Sequence, residues 1–535
     1  MPAVVTDQFR ITNAGNFVDS VLNESNSYYV FLGLPNPKGK TTETPIAGFG
    51  RTDTWDISTP DPIDNQQYLT HYRNTSLFGK KINSSNIRRV VKKHTWSANT
   101  KYDMYRHDYR VGDNEAPNSN TGSLYKTNYY VITSEFKVYI CLDNGGSGLP
   151  TSNDAKGNGS KDEPTFTDLE PAAAGTSNDG YIWKYLFTVS PSDVIKFDST
   201  EYIVLPNDWS TSTDSQIQSV REAGNSDVNE NQIKKIYIEK GGVGYNGGLS
   251  GKKTRNIIGD GTGAQALITY TDGVITDAIV TKGGSGYTHA MVDLEETNLD
   301  DTIIENKAKL IPIIPPSKGH GFDIYTELGA DKVLVYSRFD DSTKDFPTDT
   351  RFGQVGILKN PNGFDNTGIL TTSQFSSLSA IKLSSGISRP SAGYGDLIGR
   401  TITQSTSDGT ARGTISSYDP ETFVLKYIQD RSLNVNPTTN DTTDYKEVSV
   451  KGKVLSFQST GDIDNDLFNI SPDAGFTGIT TTINNKNINL GVDFTNGLAT
   501  PEINKKTGDV IYIDNRKEVE RNIRQKEDVK IILEF

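Results

Sequence analysis

The sequence predicts a mainly β protein: a layered β-sandwich core with a few short helices and two small β-modules inserted into it. Three observations carry that expectation. Tyr181, Trp183, Tyr185 and Phe187 occupy alternate positions, which in a strand sets four rings on one sheet face. Only 34% of the 535 residues are hydrophobic, and Gly, Asn, Thr and Ser fill much of the rest, a profile of many short strands joined by polar turns. An alternating strand followed by Lys-Gly-Gly-x-Gly-Tyr also occurs twice, at Ile233–Tyr245 and Ile275–Tyr287.

The stretch from Asp179 to Pro206 is the anchor. Ile182 and Leu186, with Lys184 between them, make its second face at least half apolar, and a strand greasy on both sides is covered by two layers. Burying each large ring is worth roughly 1.5–3 kcal/mol, so the segment nucleates a core. Ser190-Pro191 ends the strand, Ser192-Asp193 offers a turn or a helical turn, and Tyr202–Leu205 is the next strand, closed by Pro206.

Before the anchor, Phe17, Val18, Val21 and Leu22 give Asn13–Leu22 helical spacing, and Tyr28–Leu32 reads as a strand. Asn36 to Asp64 is a proline-rich loop, long enough to be functional or docked on a neighbour. Ser84–His94 reads as a second helix. Ile87, Val90 and Val91 are its buried stripe, and Arg88, Arg89, Lys92 and Lys93 its solvent face, with a protein-docking patch and then a nucleic-acid contact as the alternatives. Strands follow at Asn128–Thr133 and Phe136–Leu142, then a surface excursion from Asp143 to Asn178 with nothing to bury.

After the anchor, Ser210–Asn231 reads as a polar linker to the repeat. There Gly241, Gly242 and Gly244, and again Gly283, Gly284 and Gly286, permit turns, while Tyr245 and Tyr287 pack across them. A strand at Ala264–Tyr270 and the hairpin signal Asp272-Gly273 lie between the copies. Lys309–Pro316 reads as an edge strand, Lys332–Phe339 and Phe352–Lys359 as strands, and Gly386–Gly395 as a linker. Leu397–Gln429 forms the second module, with turns at Asp408-Gly409 and Asp419-Pro420; Thr438 to Asn504 is barely patterned. The chain closes with strands at Asp509–Asp514 and Val529–Phe535, whose Ile511, Ile531 and Leu533 are expected in the core beside the aromatic strand. The resulting division is 1–215 for the first part of the core, 216–308 for the repeat module and 309–385 for the continued core. Residues 386–500 hold the second module with its Asn/Thr-rich loops, and 501–535 the returning strands.

A net charge of −13 argues against a nucleic-acid surface, and no run of 18 apolar residues offers a membrane span. Cys141 is the single cysteine, so no internal disulfide forms, and FKVYICL around it reads as a buried, inert thiol. The first residues lack an apolar run of signal-peptide length, so the expectation is a chain made in a reducing cytosol. No phosphate loop or GxSxG elbow has the right spacing, and the five histidines, His71, His94, His107, His289 and His320, form no ligand pair. Asp462 to Asp473 starts like a calcium loop but has Leu467 where the turn needs glycine. Acid pairs such as Asp340-Asp341 and Glu295-Glu296 mark no cleft. No enzyme, catalytic residue, metal or cofactor is expected.

Three blocks carry a family resemblance: Val90–Arg106 (VVKKHTWSANTKYDMYR), the anchor from Gly180 to Pro206, and Gly508–Phe535, with VIYIDNR and the terminal VKIILEF. In that order they resemble the baseplate wedge subunit of T-even-type contractile-tailed bacteriophages, the one present as a dimer in each wedge. The resemblance covers residues 1 to about 215, parts of 310–385, and 505–535. The Gly-Gly-x-Gly-Tyr repeat and Leu397–Gln429 fall outside the pattern, look like modules of cyanobacterial-phage structural proteins, and are expected to be insertions. The resemblance implies a non-enzymatic virion building block that forms a homodimer and binds other baseplate wedge proteins, in the host cytoplasm before assembly and in the tail baseplate afterwards. The alternative is a carbohydrate-binding tail protein using the inserted modules, with Tyr245 and Tyr287 as exposed stacking rings. A third reading is calcium-dependent adhesion through Asp462–Asp473.

Overall fold

The computed structural model describes residues 5–33, 59, 61–62, 64–110, 118–146, 156–223, 231–294, 306–340, 351–365, 368–407, 409–429, 455–521 and 525–535. It is mainly β, with 43% strand and 13% helix arranged as several antiparallel sheets. The chain divides into two compact units: Met1–Val18, Arg88–Leu334 and Ile532–Phe535 in the first, Asp19–Ile87 and Val335–Ile531 in the second.

In the first unit the aromatic strand Tyr181–Thr188 is the edge of a three-stranded sheet with Lys137–Asn144 and Tyr130–Ile132. Cys141 lies opposite Trp183 and Val138 opposite Phe187. The expected surface excursion is a covering layer over 156–178. Ala172 exchanges two 2.9 Å backbone bonds with Trp183, and the Tyr181 hydroxyl donates to the Asn158 carbonyl at 2.7 Å. The segment is poor in apolar side chains, but its backbone carbonyls satisfy tyrosine hydroxyls that would otherwise be buried unpaired.

The helix expected over Ser84–His94 is instead the strand Ile87–Lys92, with Val90 opposite Val204 and Val91 opposite Ile203. Three β-branched residues suit a pleated surface as well as a helical stripe, and pairing decided between them. The basic face goes with the helix. Arg88 pairs with Asp193 at 2.9 Å and sits over Phe197, Arg89 stacks 3.8 Å over the Tyr325 ring, and Lys93 donates to the Ser199 carbonyl at 2.8 Å. Of the four cations Lys92 alone is exposed, which removes the patch as a docking or nucleic-acid surface.

The linker expected after Trp209 contains the helix Ser215–Glu222, whose N-cap Asp214 accepts from Gln216 and Ile217 and whose Val220 is buried. Ser190 likewise caps Pro191–Phe197, with proline in the first turn. The repeat follows as a four-stranded sheet in the order Val274–Ser285, Thr262–Thr271, Gly251–Gly259, Ala290–Val292, beside the pair Ile236–Lys240 and Lys309–Pro312. Their inner faces meet in one cluster built on Ile236, Ile238, Ile257, Ile268 and Ile275.

In the second unit, Gln374–Ser376, Ser76–Lys81, Tyr28–Gly33, Arg351–Lys359 and Asp509–Glu520 form a five-stranded sheet in that order. The meander expected in Leu397–Gln429 is present as Thr401–Thr406, Gly409–Asp419 and Val424–Ile428, inside a seven-stranded sheet. From residue 455 the stretch to Asn504 is more regular than its sequence indicates, and 438–454 lie outside the described residues. Ile463–Asn465, Phe468–Ile470, Gly478–Ile483, Lys486–Phe494 and Leu498–Ala499 are strands, three of them very short and the longer two largely half-buried or exposed, so only a few apolar residues mark them.

One expectation fails outright. The aromatic strand, Asp509–Glu520 and Glu527–Glu534 lie in three different sheets. Alternation identifies a strand with a buried face but carries no information about its neighbour. Most of the proline-rich loop, Glu295, Glu296, Asp341, Asp408 and the His71 side chain lie outside the described residues.

Candidate functional site

The residues singled out from the sequence separate into three places. Tyr181, Trp183, Tyr185 and Phe187 are all buried. Tyr181 stacks on Trp183 with centroids 5.3 Å apart, Tyr102 stands edge-on to both, Tyr139 is edge-on to Tyr185, and Phe187 to Trp209. Burial pushes the Cys141 thiol well above its ordinary pKa, which keeps it protonated and unreactive.

In the closing strands Ile531 is buried and Leu533 half-buried, but Ile511 is 45% exposed and does not belong to the core. The reason is a β-bulge. Ile357 faces Tyr512 while the next residue, Leu358, faces Val510, so Ile511 has no opposite number. The bulge breaks the alternation and brings both Val510 and Ile513 against the cluster of Tyr29, Phe31 and Leu358. The terminal strand is held by Asp528, which accepts from Tyr336 at 2.8 Å and from both nitrogens of an Arg338 fork at 2.6 and 2.8 Å. Phe535 packs 5.5 Å from Phe17.

The two repeat copies are built alike to within a few degrees. Gly242 and Gly284 have φ of 65° and 63°, and Gly244 and Gly286 of 80° and 76°. A Cβ on Gly242 would lie 2.5 Å from the Tyr245 ring, and one on Gly284 2.8 Å from the Tyr287 ring, so glycine is required under each tyrosine for space as well as for φ. The copies also clasp each other. The Gly241 carbonyl accepts from Ile275 N–H at 3.0 Å, and the Gly283 carbonyl accepts from Ile233 N–H at 3.0 Å, so the first glycine of each copy holds the first residue of the other. Tyr245 and Tyr287 are buried, which corrects their expected exposure. The Tyr245 hydroxyl accepts from Ala308 N–H at 2.9 Å. The Tyr287 hydroxyl accepts from Ala264 N–H at 3.2 Å and donates to the Ile257 carbonyl at 3.1 Å. Neither ring can stack on a sugar.

The stretch Asp462–Asp473 opens as a tight hairpin and not as an ion-binding loop. Ile463 pairs with Ile470, Asp462 accepts from Ser471 at 2.7 Å, and Asp464 accepts from Asn469 at 2.5 Å. Among the described residues no group of three or more His, Cys, Asp or Glu is placed to hold a metal, and no helix is long and apolar enough to cross a membrane.

Two arrangements escaped sequence reasoning. Arg106 is buried, forks onto Asp108 at 2.9 and 2.7 Å, and lies 4.0 Å over the Tyr237 ring of the first repeat strand. Although burial pulls the other way, the guanidinium holds the Asp108 carboxyl below the usual carboxylate range. His320 Nδ1 lies 2.5 Å from Glu327 Oε1, whose other oxygen accepts from Gly321 N–H at 2.7 Å, with Tyr105 edge-on to the imidazole. The Arg-x-Asp spacing, closed by a turn at His107-Asp108, is a legible signal for the first; the second is made by a turn and a short helix, Ile324–Leu328, and has none.

A family model described as Bacteriophage T4, Gp8 matches residues 141–264, a stretch that contains the aromatic strand and its partner Lys137–Asn144 from Cys141 on. The chain resembles a phage baseplate wedge protein. Baseplate wedge protein gp8 of Enterobacteria phage T4 is 25% identical over 228 residues, covering 38% of this chain and 60% of the relative's length. The resemblance to a wedge subunit is borne out; of its three blocks the anchor from Gly180 to Pro206 lies inside the family match, and the extent of that match corrects the expected one. The gp8 match runs past residue 215 through Ile233–Tyr245, so the first repeat copy is inside the family pattern.

Proposed function

We propose that this chain is a structural component of a phage tail baseplate wedge, acting by geometry and without catalysis. The observation that carries the reading is the gp8 match over residues 141–264, which contains the whole aromatic strand with its four buried rings. In this reading the protein accumulates in the host cytoplasm, forms a homodimer, and docks other wedge proteins to build the baseplate of the virion. Neither nucleic acid nor membrane is a partner. The cores 1–215, 309–385 and 501–535 carry the modules 216–308 and 386–500, of which the first has the hydrophobic cluster described above. The carbohydrate reading loses its support with the burial of Tyr245 and Tyr287.

The test is the mass of the purified protein by light scattering, alone and after mixing with lysate from infected cells. A dimer that shifts to a discrete larger complex containing other tail proteins is expected. A monomer that ignores every tail protein would overturn the reading.

A further inference from the structure

On the second face of the aromatic strand, Lys184 is 5% exposed. It lines a small open cleft in the first unit, about 50 Å³ in volume, with apolar walls from Leu142, Leu169, Pro171 and Pro315 and with Glu170, Lys234 and His320 beside it. A smaller pocket sharing Lys234 and His320 extends the cleft to Lys235. The groups around it have carboxylate partners: Lys234 has Glu170 at 3.7 Å, Lys235 has Asp143 at 2.5 Å, and the His320 ring has Glu327 at 2.5 Å. Lys184 is the exception. Its ammonium donates to the Leu169 carbonyl at 2.8 Å, and among the described residues it has no carboxylate within ion-pair distance.

An ammonium has three protons to donate, and a carbonyl neutralises none of its charge. Burial works against this charge, and Glu327 and Glu170 favour it only from beyond ion-pair distance, so a closer counter-charge has to come through the cleft from outside. The cleft's other two lysines are matched by Glu170 and Asp143, so on a protein of net charge −13 Lys184 is the positive charge left for an acidic partner to meet. We propose that the cleft binds a carboxylate presented by an acidic side chain of a partner protein. The apolar walls take the methylenes of that side chain, Lys184 its charge, and Lys234, loosely held by Glu170, closes on it from the side. This deepens the docking reading and rests on it for the source of the carboxylate.

The experiment uses the full chain and calorimetric titration with an end-capped tetraglutamate peptide, an end-capped tetraglutamine peptide and sodium acetate. Saturable binding of tetraglutamate is expected, weakening with salt and falling by about tenfold or more in Lys184→Met. The same variant is expected to melt at an equal or higher temperature than the wild type, because an uncompensated buried charge has been replaced by an apolar chain of similar length. Should Lys184→Met fail to fold, Lys234→Ala is the second variant, with a severalfold loss expected. Equal affinity in wild type and variant, equal binding of tetraglutamine, or no saturable binding overturns the site. Acetate binding as tightly as tetraglutamate overturns the partner side chain as its source. Tetraglutamate binding by a protein that forms no complex with tail proteins leaves the site standing and removes the wedge reading.

Discussion

In the sheet around Trp183 the aromatic strand is covered on both faces, whereas the repeat sheet keeps one face bare. In the latter Ala266, Ile268 and Tyr270 are buried while Ile258 and Ile279 stand about half exposed. The first sheet is held by large side chains that fill space, so its stability resides in packing. The second has a buried cluster on its inner face alone and is held in addition at its ends, where two glycine–tyrosine turns clasp each other, so part of its stability resides in backbone geometry and two hydroxyls. Both are alternating strands in the sequence, yet they respond to different substitutions.

Trp183→Ala tests the packed sheet and has the largest expected effect, a loss of about 3–5 kcal/mol in urea unfolding followed by circular dichroism. A loss under 1 kcal/mol would show that the rings are not the load-carrying core. Gly284→Ala tests the clasped sheet. It forces alanine to a φ of 63° with its Cβ 2.7 Å from Ala264 N, and about 1–3 kcal/mol is expected, with Gly242→Ala close behind. Tyr287→Phe separates the two copies. It leaves Ala264 N–H and the Ile257 carbonyl without the hydroxyl, against Ala308 N–H alone for Tyr245→Phe, so Tyr287→Phe should cost about 1–2 kcal/mol and Tyr245→Phe less. Equal costs would mean the copies are equivalent in energy as well as shape.

A smaller effect distinguishes the sheets by pH. His94 sits edge-on to Tyr130 at 5.1 Å, and burial lowers its pKa to about 4. The unfolded chain takes up this proton first, so the contribution is complete above about pH 6.5, falls as pH drops toward 4, and is flat below. His94→Gln should remove that slope from melting temperatures measured between pH 4 and 7, and an unchanged slope would reassign it. Ile279→Thr, on the bare face, should change stability by no more than about 0.5 kcal/mol. A larger loss would mean that face is covered.

The aromatic strand, the glycine turns and the meander of the second module were legible because each is local: alternation, Gly-Tyr spacing and turn residues act within a few positions. Ile87–Lys92 was misread because Ile, Val and Val at that spacing satisfy a helix and a strand alike, and its arginines find Asp193, Phe197 and Tyr325 far along the chain. Ile511 was misplaced by a bulge that arises only when the strand is laid against Arg351–Lys359. The Lys184 cleft shows in the sequence as no more than a lysine between Ile182 and Leu186.

By itself the sequence determined the β character, the buried rings, the paired turns and the kinship with a wedge protein, because these are set by short-range sterics and by side-chain identity. Tertiary structure alone decided which strands share a sheet, which tyrosines meet solvent and which cation is left without a counter-charge. Those outcomes depend on pairing between segments scores to hundreds of residues apart, and burial and charge compensation exist only once such segments have met.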